Sequence, residues 1–215
     1  MTNKEIRDRV MATGGLQDGE PLDEAELVDS WVYQGTLDML SRTRCVARCL
    51  ELGVTAGIAD YVLSHAVLTL IDVNDGASRR QRRDSSCWGF TLLRSDLLQL
   101  NPAPSEDGEL QVWAVMRPQR MVADDDDLGH EAFGAIPDEY QDAIELYANW
   151  HASDYSHETN SQRGERYRVL YEGQDGRGGR LAMIRSLVNK RGTAYAPRRK
   201  VVVRRALTPR SAWVD

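Results

Sequence analysis

The sequence predicts an α+β fold: a helical bundle with an inserted small antiparallel β domain and an extended C-terminal arm. Three observations carry this reading. Apolar residues recur at helical spacing near both ends of the chain. Short alternating runs, bracketed by turn residues, fill the middle. The last stretch combines two prolines with clustered arginines and has no amphipathic period.

The first helix is predicted over residues 3–12, where Ile6 and Val10 are spaced i, i+4 and Gly14-Gly15 ends the pattern. Residues 15–21 have turn chemistry. Asp23 can then cap a second helix, with Glu26 as its capping-box partner. Leu27, Val28, Trp31, Val32, Gly35 and Met39 share one face of that helix. Gly35 weakens it by about 1 kcal/mol relative to Ala, so its use there implies close packing of another element.

From about Arg44 the texture becomes strand-like, with runs at 46–54, 59–63, 67–73, 87–93, 97–100 and 109–117. Gly53, Gly57, Asn74-Asp75-Gly76, Asn101-Pro102, Asp107-Gly108 and Pro118 supply the turns. In the last run Leu110, Val112, Ala114 and Met116 alternate with Gln111, Trp113 and Val115, as a strand with one buried face requires. The arginine run 79–83 is expected at an exposed hairpin tip.

Helical period returns after Pro137, a residue suited to a first turn. Ile136, Tyr140, Ile144 and Tyr147 fall on one face, beside Ala143 and Ala148, and Trp150 and His151 continue the helix. A further helix over 157–172 places Tyr167, Leu170 and Tyr171 together. GQDGRGG at 173–179 breaks it, and 181–188 resumes an apolar pattern with Met183, Ile184 and Leu187. The predicted divisions are 1–43 and 123–191 for the bundle, 44–122 for the β-rich insertion and 192–215 for the basic arm.

Composition narrows the class. The 215 residues carry 27 Lys+Arg against 33 Asp+Glu, for a net charge of −6, and 41% are hydrophobic. The mean hydropathy is −0.50. No apolar run is long enough to span a bilayer. The first ten residues lack the apolar stretch of a signal peptide, and three cysteines, an odd number, argue for reduced thiols. Membrane, secreted and disulfide-scaffold classes are therefore not expected.

The near-even balance hides an asymmetry. Residues 177–215 sum to +10, which leaves −16 upstream. An acidic body with a basic tail implies that the tail meets something negative: nucleic acid, an acidic protein surface, or a neighbouring copy.

The chemical motifs come back empty. Cys45 and Cys49 lack the second pair a zinc site needs, and neither Cys87 nor His65 supplies it. The acidic run 124–127 lacks the calcium-loop pattern and reads as a solvated loop. GQDGRGG lacks the Lys-Ser/Thr of a phosphate loop. His65, His130, His151 and His157 fall on different elements without ligand spacing, and Tyr140, Tyr147 and Tyr155 read as helix packing. No catalytic residue, cofactor or metal is expected, and the protein is read as structural rather than enzymatic.

The order of these elements resembles the head-to-tail adaptor (connector or neck) proteins of tailed bacteriophages, over roughly residues 1–172. The likeness rests on LDEAELVDSWVYQGTLDMLSRTR, IADYVLSHAVLTLIDV, LQLNPAPSEDGELQVWAVMRP and AIPDEYQDAIELYANWHASD. Its most specific pieces are Asn101-Pro102-Ala103-Pro104 before a hydrophobic strand and Ile136-Pro137-x-Glu139-Tyr140 opening a Tyr/Ala-rich helix. The glycine-rich break and the basic arm lie outside that pattern. The resemblance implies a structural virion protein of the neck, assembled in the host cytoplasm. It implies a homo-oligomeric ring, a dodecamer of adaptor subunits, between the portal protein and the next neck or tail-terminator protein. DNA would pass through the channel without specific binding, and no membrane is involved. A rival reading is a nucleic-acid-binding protein that uses the basic C-terminal arm, for which strong salt dependence would be expected.

The arm is the candidate docking element for the portal or a neighbouring subunit. Val201, Val202 and Val203 form a β-branched triplet between Arg198, Arg199, Lys200 and Arg204, Arg205. Such a segment can add a strand to an exposed sheet edge. Leu207 and Trp213 are candidate anchors.

Overall fold

A computed structural model describes residues 1–14, 16, 24–63, 66–74, 79–80, 89–155, 161–174 and 177–195. In chain order the elements are α1 (Asn3–Gly14), α2 (Glu24–Thr43), β1 (Arg48–Val54), β2 (Asp60–Val62), β3 (Val67–Asn74), β4 (Arg79–Arg80), β5 (Gly89–Arg94), β6 (Leu97–Asn101) and β7 (Gly108–Met116). A 3-10 turn at Glu131–Phe133 precedes α3 (Asp138–Tyr155), α4 (Ser161–Glu172), β8 (Gly173–Gln174), β9 (Arg177–Gly178) and α5 (Arg180–Tyr195). The chain divides into a helical unit, Met1–Val46 with Arg117–Thr193, and a β unit built on Ala47–Met116.

In the helical unit α1 opens on a capping box that sequence reading missed. The Thr2 amide donates to Glu5 Oε2 at 3.0 Å, and the Glu5 amide donates to Thr2 Oγ1 at 3.3 Å. Ile6 and Val10 are fully buried, as their spacing predicts. On α2 the buried stripe is Val28, Val32, Gly35, Thr36, Met39, Leu40 and Thr43. Leu27 and Trp31 are only half-buried at its margin. Thr36 and Thr43 donate back to the carbonyls of Val32 and Met39 at 2.9 and 2.7 Å, which makes both hydroxyls tolerable inside the core.

Helix α3 is the common packing surface for α1, α2 and α4. Tyr140, Ala143, Ile144, Ala148 and Ala152 are buried, and Tyr147 is half-buried. The close approach expected at Gly35 is present. A Cβ there would lie 2.9 Å from Tyr147 Cδ1 and 3.0 Å from its Cγ.

Two apolar expectations fail. Leu170 is 47% exposed and Met183 is 53% exposed, although Tyr171, Leu181 and Ile184 are buried as expected. Helix α4 packs through Gly164 and Tyr171, seven residues apart, and Leu170 falls outside that line. Within the glycine-rich segment β8 pairs with β9 in antiparallel register. Gly173 has φ +98, and a Cβ there would lie 2.3 Å from the Arg177 carbonyl oxygen. Only glycine fits.

The β unit contains a four-stranded sheet in the order β1-β7-β3-β4 and a three-stranded sheet in the order β2-β6-β5. Every pairing is antiparallel. The two sheets share one core, which includes Tyr61, Leu63, Val67, Leu70, Val73, Phe90, Leu98, Leu100, Leu110 and Val112. The predicted alternation on β7 holds at Leu110, Val112 and Ala114. Val115 is also buried, beside the register shifts between β3 and β7. Arg79 and Arg80 are not a hairpin tip. They pair with Asn74 and Val73 as strand β4, and the rest of the predicted run, 81–83, lies outside the described residues.

Replacing Gly35 with Val should lower stability by about 1–3 kcal/mol, the usual cost of overpacking. Gly53→Ala, where an added Cβ meets nothing within 4 Å, serves as the control and should change little. Urea unfolding of both variants checks this.

Candidate functional site

The predicted docking residues Arg198, Arg199, Lys200, Val201, Val202, Val203, Arg204, Arg205, Leu207 and Trp213 lie outside the described residues, as do His65, Cys87, His157 and the Asp23 cap. One boundary is corrected. Helix α5 runs through Gly192 to Tyr195, so 192–195 are helical rather than part of an extended arm. A single glycine costs about 1 kcal/mol and does not end a helix, whereas Pro197 cannot continue one.

The acidic run 124–127 is more than a solvated loop. The amides of Asn3 and Lys4 donate to the carbonyls of Asp126 and Asp124 at 2.8 and 3.2 Å. Those are first-turn amides with no partner inside α1, so the loop completes the helix start. Asp126 Oδ2 accepts from the amides of Val122 and Ala123 at 2.7 and 2.8 Å, which fixes the loop's own turn. Arg7 joins the loop to α2. It donates to both Asp29 oxygens at 3.0 and 2.9 Å and to Asp124 Oδ1 at 2.9 Å. The Asp29 hydrogen bond outweighs desolvation and raises the Arg7 pKa further. The carboxylates of Asp124, Asp126 and Asp127 therefore bind the protein's own donors.

A second cluster occupies the meeting point of α2, α3 and α4. The Tyr147 ring lies 4.5 Å from the His151 ring and 5.4 Å from that of Tyr171, centroid to centroid. Trp31 stacks on His151 at 6.4 Å, and Trp150 stacks on it at 4.7 Å. The buried Tyr171 hydroxyl donates to Asp38 Oδ2 at 2.7 Å. Burial and that bond together push its pKa far above the ordinary tyrosine value. Arg42 pairs with both Asp38 and Glu172, and Arg185 of α5 donates to the Arg42 carbonyl at 2.8 Å. Burial lowers the His151 pKa, and its buried Nε2 has no hydrogen-bond partner.

Neither cluster has the form of a reaction centre. Among the described residues no group of three or more His, Cys, Asp or Glu could hold a metal ion. The hollow lined by Asp29, Val32, Tyr33, Met121 and Leu128 has room for no more than a water. Burial raises the thiol pKa of Cys45, and burial together with Glu51 raises that of Cys49, the opposite of an activated nucleophile.

What the arrangement offers is a division of charge. Helix α5 carries Arg180, Arg185, Lys190 and Arg191 and no acidic residue. Its first turns are fixed by buried Leu181 and Ile184 and by Arg180, which donates to Asp142 Oδ1 at 2.9 Å. From Arg185 to Lys190 the side chains are half or fully exposed. On the same unit Glu5, Asp8, Asp124, Asp125, Glu131 and Asp138 are exposed.

The family model described as SU10 adaptor protein matches residues 1–200 of the chain. The chain belongs to the SU10 adaptor family. No curated protein matches it. The SU10 adaptor family is one of structural head-to-tail adaptors of bacteriophages, and the chain is accordingly a virion component that interacts with other phage head and tail proteins. The match extends beyond the resemblance read from the sequence. It takes in the α4–α5 hairpin and all of α5, where short motifs gave no signal. Among the described residues no helix of the adaptor is long and apolar enough to cross a membrane.

Two outcomes follow. The lowered His151 pKa means that the unfolded chain takes up the proton first as pH falls below about 6.5. Stability is therefore full above that pH and declines below it until the folded histidine also titrates. Urea unfolding at pH 7.5 and 5.0 should show a larger loss for the native chain than for His151→Gln. Replacing Tyr171 with Phe, which removes the shorter of the hydrogen bonds to Asp38 and leaves Arg42 as its remaining donor, should cost about 1.5–3 kcal/mol by the same measurement.

Proposed function

We propose that the adaptor forms a ring of about a dozen subunits beneath the portal, a closed assembly of identical head-to-tail contacts. The ring extends the DNA channel and presents a platform to the next neck or tail-terminator protein. Residues 1–43 and 123–191 supply the ring wall, 44–122 is the inserted β domain, and the basic arm docks on the portal or a neighbouring subunit. Catalysis plays no part, and assembly takes place in the host cytoplasm.

The observation that supports this reading is the division of charge, a cationic helix α5 beside exposed acidic residues of the bundle, with a basic arm following in the sequence. Exposed groups of opposite charge on one subunit can fix register between identical neighbours and steer their encounter. Acidic residues facing a channel would repel DNA and let a polyanion slide rather than adhere.

Negative-stain imaging of the purified chain, alone and mixed with portal, tests this. Rings of uniform diameter that sit on the portal are the expected result, and a persistent monomer in both preparations overturns it. Removing residues 196–215 should leave the body folded, with an unchanged far-ultraviolet spectrum, and should abolish portal attachment. Tight DNA binding that weakens steeply with salt and needs only the arm would instead favour the nucleic-acid reading.

A further inference from the structure

Strand β1 is an edge. It pairs with β7 over seven consecutive residues, Arg48↔Ala114 to Val54↔Gly108, with no register shift. Among the described residues no strand lies on its other side. Natural edges are usually blunted by lysine, proline, a bulge or brevity. The segment RCLELGV has no lysine and no proline, and its ladder is regular where the β3–β7 and β5–β6 ladders are bulged.

Its two faces differ. Cys49, Glu51 and Gly53 point outward and are exposed, whereas Leu50 and Leu52 face the core and are only half-buried. The core is therefore incompletely covered along this edge. An added strand with small apolar residues at every second position would complete it.

The chain carries a segment of that description, flanked by cations, beyond the described residues. In Lys200-Val201-Val202-Val203-Arg204 the alternation puts Val201 and Val203 on one face and Lys200, Val202 and Arg204 on the other. With the valines over Leu50 and Leu52, the cations lie on the side of Glu51 and Glu109, which are both exposed.

We propose that the edge of β1 receives residues 200–205 of a neighbouring copy as a fifth strand of the four-stranded sheet. Main-chain hydrogen bonds supply affinity, the valines close the core, and the flanking cations set the register against Glu51. The contact is heterologous, since each copy gives a strand at one side and accepts one at the other. The choice of a neighbouring copy rests on the proposed ring; the strand addition itself rests on the edge.

Native Cys49 makes the test direct. In the full-length chain carrying Cys45→Ser and Cys87→Ser, single cysteines are placed at positions 200 to 204 in turn and oxidised with diamide. Residues directly opposite on adjacent strands are close enough for a disulfide. One of the outward positions 200, 202 and 204 should link to Cys49 between chains, giving a ladder of covalent oligomers. Positions 201 and 203 should link at least about tenfold less, because their side chains lie on the other face. Equal linking at all five positions, or linking at none, overturns strand addition. An alternating pattern confined within single chains overturns the neighbouring copy as donor. Imaging of the same samples keeps the two readings apart: rings without the alternating pattern sink this contact alone, and monomers sink the ring.

Discussion

The helical unit depends on how closely α3 can be approached. Three helices pack on it, and each contact uses a residue with almost no side chain. Gly35 of α2 meets Tyr147, Gly14 of α1 meets Ala152, and Gly164 of α4 meets Asp154. The alanines at 143, 148 and 152 are fully buried and keep the helix axis within reach of all three partners. Interiors are packed at crystal-like density, so a methyl group in the wrong place cannot be absorbed. Tyr140 and Tyr171 then fill the remaining volume as the two largest fully buried side chains among the described residues. Glycine's cost in helix propensity is offset by contacts that no larger residue permits.

The parts of this fold legible in the sequence were those governed by a period. Ile6 and Val10 on α1, Val28, Val32 and Met39 on α2, and Leu110, Val112 and Ala114 on β7 were identified by spacing alone and are buried. The misreadings occur where spacing is silent about a partner's direction. Leu170 and Met183 have the right period but face away from the line by which their helices dock. The acidic run was read as solvated because charge alone does not show that Asp126 and Asp124 offer backbone carbonyls to α1. Its partners lie more than a hundred residues away, and no local pattern encodes that distance. The Thr2–Glu5 capping box, by contrast, follows a local T-x-x-E pattern that the sequence displays.

Buried polar groups mark a different kind of constraint. Asn3, Asn149 and Ser153 are buried on α1 and α3 with side-chain atoms that have no partner. Each such group costs stability unless a water or a neighbour satisfies it. Gln141, also buried on α3, donates to the Ile136 carbonyl at 2.8 Å and to Asp138 Oδ1 at 3.0 Å, which secures the helix start. Polar interiors of this kind favour one arrangement of helices over many near-equivalent apolar packings. That would suit the proposed ring, in which every copy must present the same surface geometry.

A ring of this sort gains from contacts that are weak singly. A strand added to β1 would fix the backbone of the donated segment, and the entropy lost in doing so would offset part of the hydrogen-bond and valine burial gains. One such contact between two free copies would be readily reversible. In a closed ring every subunit both gives and receives, so the last contact forms intramolecularly at high effective concentration. An open edge is hazardous in a monomer, because any extended chain can pair with it. The cations flanking Val201–Val203 reduce that hazard. Copies of the arm repel one another, while Glu51 on the edge attracts them. On the proposed contact, the same charges that would keep arms apart before assembly would direct each one to its place in the next subunit.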